Sequence, residues 1–450
     1  MPGELLLEHY EPVMAVGRNE SRYQEHLQTN CGGPRRLRAE LGSEELNHVR
    51  IAYFNYLVTP DNPVGGSHLF LLRDLAARHQ VTVFAVAFES PDHRIEWVKV
   101  PAPRRPLFLL FLVYQVMATL LFWLYCCRKR ARFDVVHAVE GNVLFADVQS
   151  AHFCHTVYLR RHWNWRENLS LLGVCRWLDH WLHSLVETKA YRRARLVVVP
   201  SPGIAEEIRT LVKGVEGKLV VVPNPFDTNG LMRPAGWDRR LEREKLGLGS
   251  NEQVFCFVAL GHFVRKGLPE LLKALRGLDG ENVRLLVVGG QRWAVRQLRQ
   301  WAKREGVTDR VLFTGHVRDP RAFYWMSDAF VFPSKYEAFS KVCFEAAGAG
   351  LPVITTKVHG VRDAFEDGVS AIFVEPHAAS ILQGLKRFLA MTSEERSALA
   401  ERGQAAVRQF TVERLLEEWR AVHLWLERSL GSMMAGAGAG RWRCQLVDRR

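Results

Sequence analysis

Two glutamates eight residues apart stand in KYEAFSKVCFEAAGAG, residues 335–350. Glu337 follows the strand-like run AFVFPS (329–334), and Glu345 lies in a segment that is apolar on nearly every side. A helix of that composition is expected to be buried. Because a buried carboxylate needs a partner or loses its charge, Glu345 requires a cation such as Lys341, four residues earlier, or another donor.

A basic pair, Arg265 and Lys266, occupies the loop GHFVRKG (261–267) between a strand-like run and a helical segment. A guanidinium binds phosphate oxygens in pairs and an ammonium adds a compact charge, so the pair suits a phosphate ligand. Taken alone, an Arg-Lys pair is also typical of a solvated turn.

Strands and helices alternate along two stretches of the chain and must position these side chains. The first stretch begins at Val49 with VRIAYFNYLV and continues through VTVFAVAF, FDVVHAV and RLVVVPS; the second begins with QVFCFVALG and continues through VRLLVVGG, VLFTG, DAFVFPS and PVITT. Near-continuous apolar strands between helices indicate parallel sheets covered on both faces. The sequence predicts an α/β protein of two Rossmann-like domains, with a ligand cleft facing the carboxyl ends of the strands.

The same pattern divides the chain into five segments. They are a flexible N-terminal extension (1–48), a first domain (49–222), a second domain (223–410), an amphipathic helix that returns to the first domain (411–430) and a Gly/Ala-rich disordered tail (431–450).

The overall composition of the chain limits the kinds of binding partner and the cellular compartment that can be expected. A net charge of +13 over 450 residues suits anionic partners: phosphates, nucleic acid or an acidic membrane. The eight cysteines form no C-x-x-C pair, which argues against a zinc knuckle or a redox motif. The start MPGELLLEHYEP is acidic where a secretion signal is basic, so a cytoplasmic protein is expected.

The E-x7-E spacing of Glu337 and Glu345 resembles the most specific motif of the retaining glycosyltransferases of family 4. GHFVRKG is similar to the donor-phosphate loop of that family, and VPNPFD (222–227) to the segment that enters its second domain. The resemblance covers Val49 to Leu430 and implies the GT-B fold, with the acceptor bound by the first domain and the nucleotide sugar by the second. It implies transfer of a sugar, with retention of configuration, from a nucleotide diphosphate sugar to a lipid-linked or cell-surface polysaccharide acceptor.

The resemblance also implies roles for residues of the second domain. Arg265 and Lys266 would offset the negative charge that develops on the departing diphosphate. Glu345 would accept hydrogen bonds from the ribose hydroxyls, and Glu337 would position sugar hydroxyls or the donor loop. Ser340 is expected to cap the helix of Glu345, whose first-turn amides would receive ligand oxygens.

Residues 338–340 depart from the family pattern. The family commonly has Gly-Phe-Gly after the first glutamate, where this chain has Ala338, Phe339 and Ser340. All three are expected to contact the donor, and the side-chain bulk that Ala338 and Ser340 add leaves the sugar preference open. A UDP-sugar and a GDP-sugar are both possible donors.

The first domain would complete the site. Gly65 and Gly66 resemble a family glycine pair whose missing Cβ atoms let the backbone approach a donor phosphate or sugar. HFCHTVY (152–158) matches the position of a histidine near the reacting centre; His155 is the candidate and His152 its rival, and a structural role is open for either. The predicted catalytic residues are Glu337, His155, Arg265 and Lys266.

Neither a metal ion nor a cofactor is expected. HFCH could suggest metal ligands, but no second Cys/His cluster completes a four-ligand site. The resemblance implies a metal-independent enzyme whose nucleotide sugar is a substrate.

A stretch without charge, Leu107 to Cys127, lies between basic clusters at 104–105 and 128–130. It is long enough to cross the ~30 Å hydrocarbon layer. A single crossing would place the strands at 49–58 and 133–139 on opposite sides of the membrane, so we expect residues 104–130 to lie on an anionic membrane surface at the cytoplasmic face. An ordinary buried crossover helix is the alternative.

Other functions compete with the glycosyltransferase interpretation. A phosphorylase or a sugar-nucleotide epimerase would keep the fold, and a nonenzymatic binder of anionic membranes or nucleic acid is suggested by charge alone. A dinucleotide oxidoreductase lacks G-x-G-x-x-G after its first strand. Arg265, Lys266, Glu337 and Glu345 together favour an enzyme, and nucleic acid is not an expected partner.

Overall fold

The computed structural model describes residues 48–227 and 229–434. The predicted N-terminal extension, apart from His48, and residues 435–450 of the predicted tail lie outside the described residues. The described chain forms two parallel sheets flanked by helices, as the alternating pattern predicts.

The first domain contains a seven-stranded sheet. Its strands are β1 (Arg50–Phe54), β3 (Gln80–Ala85), β5 (Ile95–Lys99), β6 (Val135–Val139), β7 (Val148–Ser150), β8 (Leu196–Val199) and β9 (Leu219–Val221), in the order β5-β3-β1-β6-β7-β8-β9, while β2 (Leu57–Val58) and β4 (Ala87–Phe88) form a separate pair. Its helices are α1 (Pro63–Ala76), α2 (Leu107–Lys129), α3 (His155–Val157), α4 (Leu171–Arg193) and α5 (Pro202–Leu211), with a π-helical turn at Tyr158–His162 and a 3₁₀ turn at Trp165–Glu167.

The second domain contains a six-stranded sheet. Its strands are β10 (Gln253–Val258), β11 (Val283–Val288), β12 (Val311–Gly315), β13 (Ala329–Phe332), β14 (Val353–Thr355) and β15 (Ile372–Phe373), in the order β12-β11-β10-β13-β14-β15. Its helices are α6 (Arg239–Lys245), α7 (Leu268–Arg276), α8 (Arg292–Arg304), α9 (Arg321–Met326), α10 (Lys341–Gly348), α11 (Val361–Ala364), α12 (Ala378–Leu389) and α13 (Ser393–Val407), with 3₁₀ turns at Asn229–Leu231 and Thr308–Arg310.

The pairing of β10 with β13 brings the two chemical motifs together. Both strands are buried along most of their length, as their apolar sequences require. Because they are parallel neighbours, the loops that follow them leave the same edge of the sheet. The Lys335 amide donates to the Arg265 carbonyl at 2.8 Å, so the basic loop and the segment of the glutamates touch.

The last helix, α14 (Val412–Met434), extends past the predicted end at residue 430, so the first four residues of the predicted tail are helical. It packs on the first domain. The Arg420 guanidinium binds the Asp74 carboxylate of α1 at 2.5 Å, and the Trp419 ring lies 5.3 Å from the ring of His137 on β6.

Helix α2 is the one helix in the described ranges that is long and apolar enough to cross a membrane. One of its faces is buried against the sheet through residues such as Tyr114, Ala118 and Phe122. The strands before and after it, β5 and β6, belong to the same sheet. A crossing would separate these strands, so α2 in this fold lies on the domain surface.

Candidate active site

Arg265 is held by the segment that carries Glu337. Its guanidinium donates to the Tyr336 carbonyl and, at 3.2 Å, to Glu337 Oε1. The Ser334 hydroxyl donates to the same Glu337 oxygen at 3.0 Å. Glu337 therefore orients the basic loop, which is one of the two roles predicted for it.

Lys266 forms no ion pair within the described residues. Its ammonium lies 5.3 Å from the centroid of the Phe332 ring. Burial lowers the pKa of Lys266 below its ordinary value, Glu337 opposes that shift, and Arg265 adds to it. A half-buried cation without a carboxylate partner is suited to receive an anionic ligand.

Gly267, directly after the basic pair, allows the loop to pass close to the sheet. Its φ is +80°, and a Cβ there would lie 2.1 Å from the Pro333 carbonyl oxygen. Glycine is required because both the backbone angle and the contact exclude a side chain. This close approach fixes the start of α7 against the end of β13.

Glu345 has protein partners in addition to any ligand. Its Oε2 accepts from the Tyr324 hydroxyl at 3.3 Å, and its Oε1 lies 3.8 Å from the Lys341 ammonium. Burial raises the pKa of Glu345, and Lys341 partly offsets that shift. As expected, the helix is buried through Cys343, Phe344, Ala346 and Ala347. The Glu345 side chain is 21% exposed, so a ligand can reach its carboxylate.

Ser340 occupies the N-cap position of α10, but the predicted side-chain cap is absent. Its φ is +60° and its ψ is +51°, a left-handed conformation that glycine adopts more easily. Its hydroxyl lies 3.2 Å from the Cys343 sulfur and makes no capping bond to the first turn of the helix. The glycine that the family commonly has here is explained by this backbone angle.

Ala338 and Phe339 are buried, which changes how they can meet a donor. The Phe339 ring stacks on Phe344 with centroids 4.3 Å apart, inside the core. The carbonyl of Ala338 accepts from the Ser201 hydroxyl of the first domain at 2.7 Å. The Phe339 side chain is held in the core, so its donor contact, which stays a prediction, would involve the backbone.

His155 is buried and surrounded by polar groups of α4. Its Nδ1 lies 2.9 Å from His180 Nδ1, so one of the two donates to the other. Its Nε2 has no hydrogen-bond partner among the described residues. Burial lowers the pKa of His155 well below its ordinary value, which leaves a neutral imidazole.

Glu187 holds the backbone of the His155 segment. Its carboxylate accepts from the amides of His155 at 3.1 Å and Thr156 at 2.8 Å, and from the Thr156 hydroxyl. Burial raises the pKa of Glu187, and these bonds oppose the shift. Nothing in the sequence marked Glu187, because it lies on a helix whose inward face is defined only by the fold.

Glu140, His155 and His183 lie close enough to approach a common metal ion, with ligand atoms within 4.8 Å of one another. The rings of His155 and His183 are stacked, with an interplanar angle of 7°. The lone pairs of imidazoles lie in the ring planes, so parallel stacked rings cannot both direct them at one ion. Burial raises the pKa of Glu140 to about 7, with contributions from Asp179 and Glu187.

His152 belongs to a different group of side chains. Its Nε2 lies 2.9 Å from His68 Nε2, and the other ring nitrogen of His68 bonds to the Tyr53 hydroxyl. The His68 ring also contacts Trp419 of α14. Of the two histidines considered from the sequence, His155 is the one beside Phe153 and His180, near the second domain.

Gly65 and Gly66 lie in the first turn of α1. Their amides donate to the side chain and the carbonyl of Asn62, at 2.7 Å in each case. A Cβ on Gly65 would lie 2.0 Å from the Leu57 carbonyl oxygen. Since the protein's own backbone explains these glycines, their donor-binding role stays a prediction.

Side chains that were not identified from the sequence join the two domains beside the site. The Tyr336 ring contacts the Phe153 ring, with centroids 5.1 Å apart, and Arg265 lies over the same Phe153 ring at 5.7 Å. Glu207 on α5 accepts from the Tyr336 hydroxyl at 2.6 Å and lies 2.8 Å from His359 Nε2. The only feature of the sequence that could have identified this contact is that Tyr336 directly precedes Glu337.

Two family models match the two domains in order. "Glycosyltransferase Family 4" matches residues 69–229, and "Glycosyl transferases group 1" matches residues 238–406, together more than two thirds of the chain.

Individual proteins are similar to most or to part of the chain. An uncharacterized glycosyltransferase of Methanocaldococcus jannaschii is 26% identical over 329 residues, 69% of this chain and 80% of that protein. The chain spans 51% to 64% of the length of the next three curated relatives. WaaG, a glycosyltransferase involved in lipopolysaccharide biosynthesis, superposes with a TM-score of 0.68 at 20% identity over 83% of this chain and 99% of its own.

A second solved structure carries ligands. HepE of Anabaena in complex with UDP and glucose superposes with a TM-score of 0.63 at 20% identity, covering 84% of this chain and all of its own. These structural likenesses confirm the predicted GT-B fold.

Proposed function

The chain is a glycosyltransferase of the GT-B, family 4 type, and from that premise we propose that it transfers a sugar from a nucleotide diphosphate sugar to a lipid-linked or cell-surface polysaccharide acceptor, with retention of configuration. The observation that carries the proposal is the meeting of two loops at the ends of β10 and β13. One loop brings Arg265 and Lys266, and the other brings Glu337.

The donor would be held by cationic side chains at its diphosphate and by a carboxylate at its ribose. Lys266 and Arg265 offset the charge that builds on the diphosphate as the bond to the anomeric carbon breaks. Glu345, on the helix that follows, accepts hydrogen bonds from the ribose hydroxyls. The binding of UDP and glucose by HepE supports a nucleotide-sugar donor for this chain, and the donor is a UDP-sugar or a GDP-sugar.

The acceptor would be bound by the first domain near His155. Its neutral imidazole is fixed by His180 and by the backbone bonds to Glu187. Its Nε2, buried and without a partner among the described residues, would exchange a hydrogen bond with an acceptor or sugar hydroxyl that enters beside it. Departure and attack occur on the same face of the sugar, and the leaving diphosphate takes the acceptor proton. No metal ion or cofactor takes part in the proposed reaction.

The acceptor class is supported by the relatives and by the surface of α2. WaaG acts in lipopolysaccharide biosynthesis, as two curated relatives do in lipopolysaccharide core biosynthesis. The outer face of α2 exposes Leu109, Leu112, Val116, Leu120 and Leu124 between its basic ends. We propose that residues 104–130 meet an anionic membrane at the cytoplasmic face, where a lipid-linked acceptor is available.

The reaction is tested by incubating the protein with a panel of nucleotide sugars and a membrane extract as acceptor source. Release of the nucleotide diphosphate, with the donor's anomeric configuration conserved in the NMR spectrum of the product, is expected. Sugar 1-phosphate formed only when orthophosphate is added would instead indicate a phosphorylase.

A further inference from the structure

Large apolar side chains are exposed at and just before the start of α4, a helix that packs against α2. Leu169 and Leu171 are each 81% exposed, and Leu172 is 57% exposed. Single exposed leucines are common on soluble proteins, whereas a contiguous apolar set marks an interaction surface. We call residues 163–185 the α4 platform.

Tryptophans form a row along the α4 platform. The ring centroids of Trp163 and Trp165 are 5.5 Å apart, those of Trp165 and Trp177 are 5.5 Å apart, and those of Trp177 and Trp181 are 6.0 Å apart. Trp165 and Trp181 are exposed. An indole has an apolar body and a polar N–H, which suits the headgroup layer of a membrane.

The charges around the platform are mostly positive. Between residues 160 and 185 the sequence has four arginines and two acidic residues, Glu167 and Asp179, and Asp179 is buried. Arg160, Arg161 and Arg166 are exposed. An apolar surface with a cationic border complements anionic lipid headgroups, whereas a glycan ligand does not require leucines this exposed.

The α4 platform adjoins both α2 and the candidate site. The Phe111 ring of α2 lies 4.3 Å from the His183 ring of α4, so the two helices pack together. One turn earlier on α4, the ring of His180, which bonds to His155, lies 6.1 Å from the Trp163 ring. The platform therefore lies next to a side chain that holds His155.

We propose that the α4 platform inserts its leucines and tryptophans into the interface of an anionic membrane and forms, with α2, one docking surface. The docking proposal depends on the surface geometry alone. A second step, in which a lipid-linked acceptor at this surface reaches His155, rests on the proposed function.

The test is flotation of the full chain with vesicles of phosphatidylcholine alone or mixed with phosphatidylglycerol. The double variant Leu171→Glu/Leu172→Glu places charge at the exposed start of α4. Leu241→Glu is the matched control, because Leu241 is half exposed on α6 of the second domain. We expect flotation of the parent and of Leu241→Glu with the anionic vesicles, and a loss of about tenfold or more for the double variant.

Two results would overturn the proposal. One is undiminished flotation of the double variant, which together with a change from dimer to monomer would show that the surface binds a second copy of the chain. The other is equal flotation of the parent with neutral and anionic vesicles. A thermal shift with UDP or GDP, retained in the double variant, shows that the variant is folded. If neither the parent nor the variant shows a thermal shift with UDP or GDP, that result counts against the proposed enzyme function and does not affect the docking result.

Discussion

Replacing Glu187 tests whether its carboxylate organises the His155 segment. The side chain is 2% exposed and accepts from two backbone amides and one hydroxyl. Glu187→Ala leaves the amides of His155 and Thr156 buried without an acceptor, at a cost of ~1–3 kcal/mol each. We expect the free energy of unfolding to fall by about 2–6 kcal/mol. Glu187→Gln keeps one acceptor oxygen and should lose about half as much.

The assay combines urea unfolding with activity. If Glu187 is a positioning residue, Glu187→Gln should lower kcat while the Kd for the nucleotide stays unchanged, because the proposed donor site lies on the other domain. Glu206→Ala is the control, since Glu206 is exposed on α5 and pairs with Arg209. A Glu187→Ala protein as stable as the control would refute the reasoning.

Further predictions concern the backbone, the domain contact and pH. Ser340→Gly should leave the free energy of unfolding within about 0.5 kcal/mol because it relieves the left-handed strain, whereas Ser340→Val should lower it by about 2 kcal/mol; urea unfolding measures both. Tyr336→Phe removes the hydroxyl that binds Glu207 and should cost about 1–2 kcal/mol and speed amide exchange at the domain contact. Burial lowers the pKa of His79, His152 and His183 to about 4. The stability that these neutral histidines contribute above pH 6.5 should therefore be lost as the pH falls through about 4. Thermal unfolding across that pH range would detect the loss. Buried carboxyls such as Glu140 and Asp179, whose pKa values burial raises to about 7, act with the opposite sign, so an increase in stability below pH 6 would show that they dominate.

The sequence predicted the features that depend on local pattern. Alternating apolar strands and helices predicted the two sheets, because parallel strands buried on both faces need continuous apolar runs. The order of the strands then brought Arg265 beside Glu337, since loops after neighbouring parallel strands leave one edge. Lys341 was the alternative to a ligand as partner of Glu345 from its i, i+4 spacing, and the two side chains lie 3.8 Å apart.

What the sequence did not predict depends on packing between distant segments. Glu187 and Glu207 look like ordinary helical glutamates until α4 and α5 are placed, and only then do their carboxylates face the site. The left-handed angle of Ser340 is likewise set by the surrounding fold. On α2, composition could not distinguish exposed Leu112 from fully buried Phe122, because both faces of the helix are apolar.

Nucleotide binding at Lys266 tests the central claim most directly. The experiment is calorimetric titration with UDP and GDP of three proteins: the parent, Lys266→Ala and Lys273→Ala. Lys273→Ala is the control, because Lys273 is an exposed lysine of α7 that is bound to Glu270, whereas Lys266 has no ion-pair partner within the described residues. We expect one nucleotide to bind the parent and Lys273→Ala equally, and Lys266→Ala about 10–100-fold more weakly, the loss of a charge-assisted contact. Equal binding by Lys266→Ala, or no heat with any nucleotide diphosphate, would contradict the account.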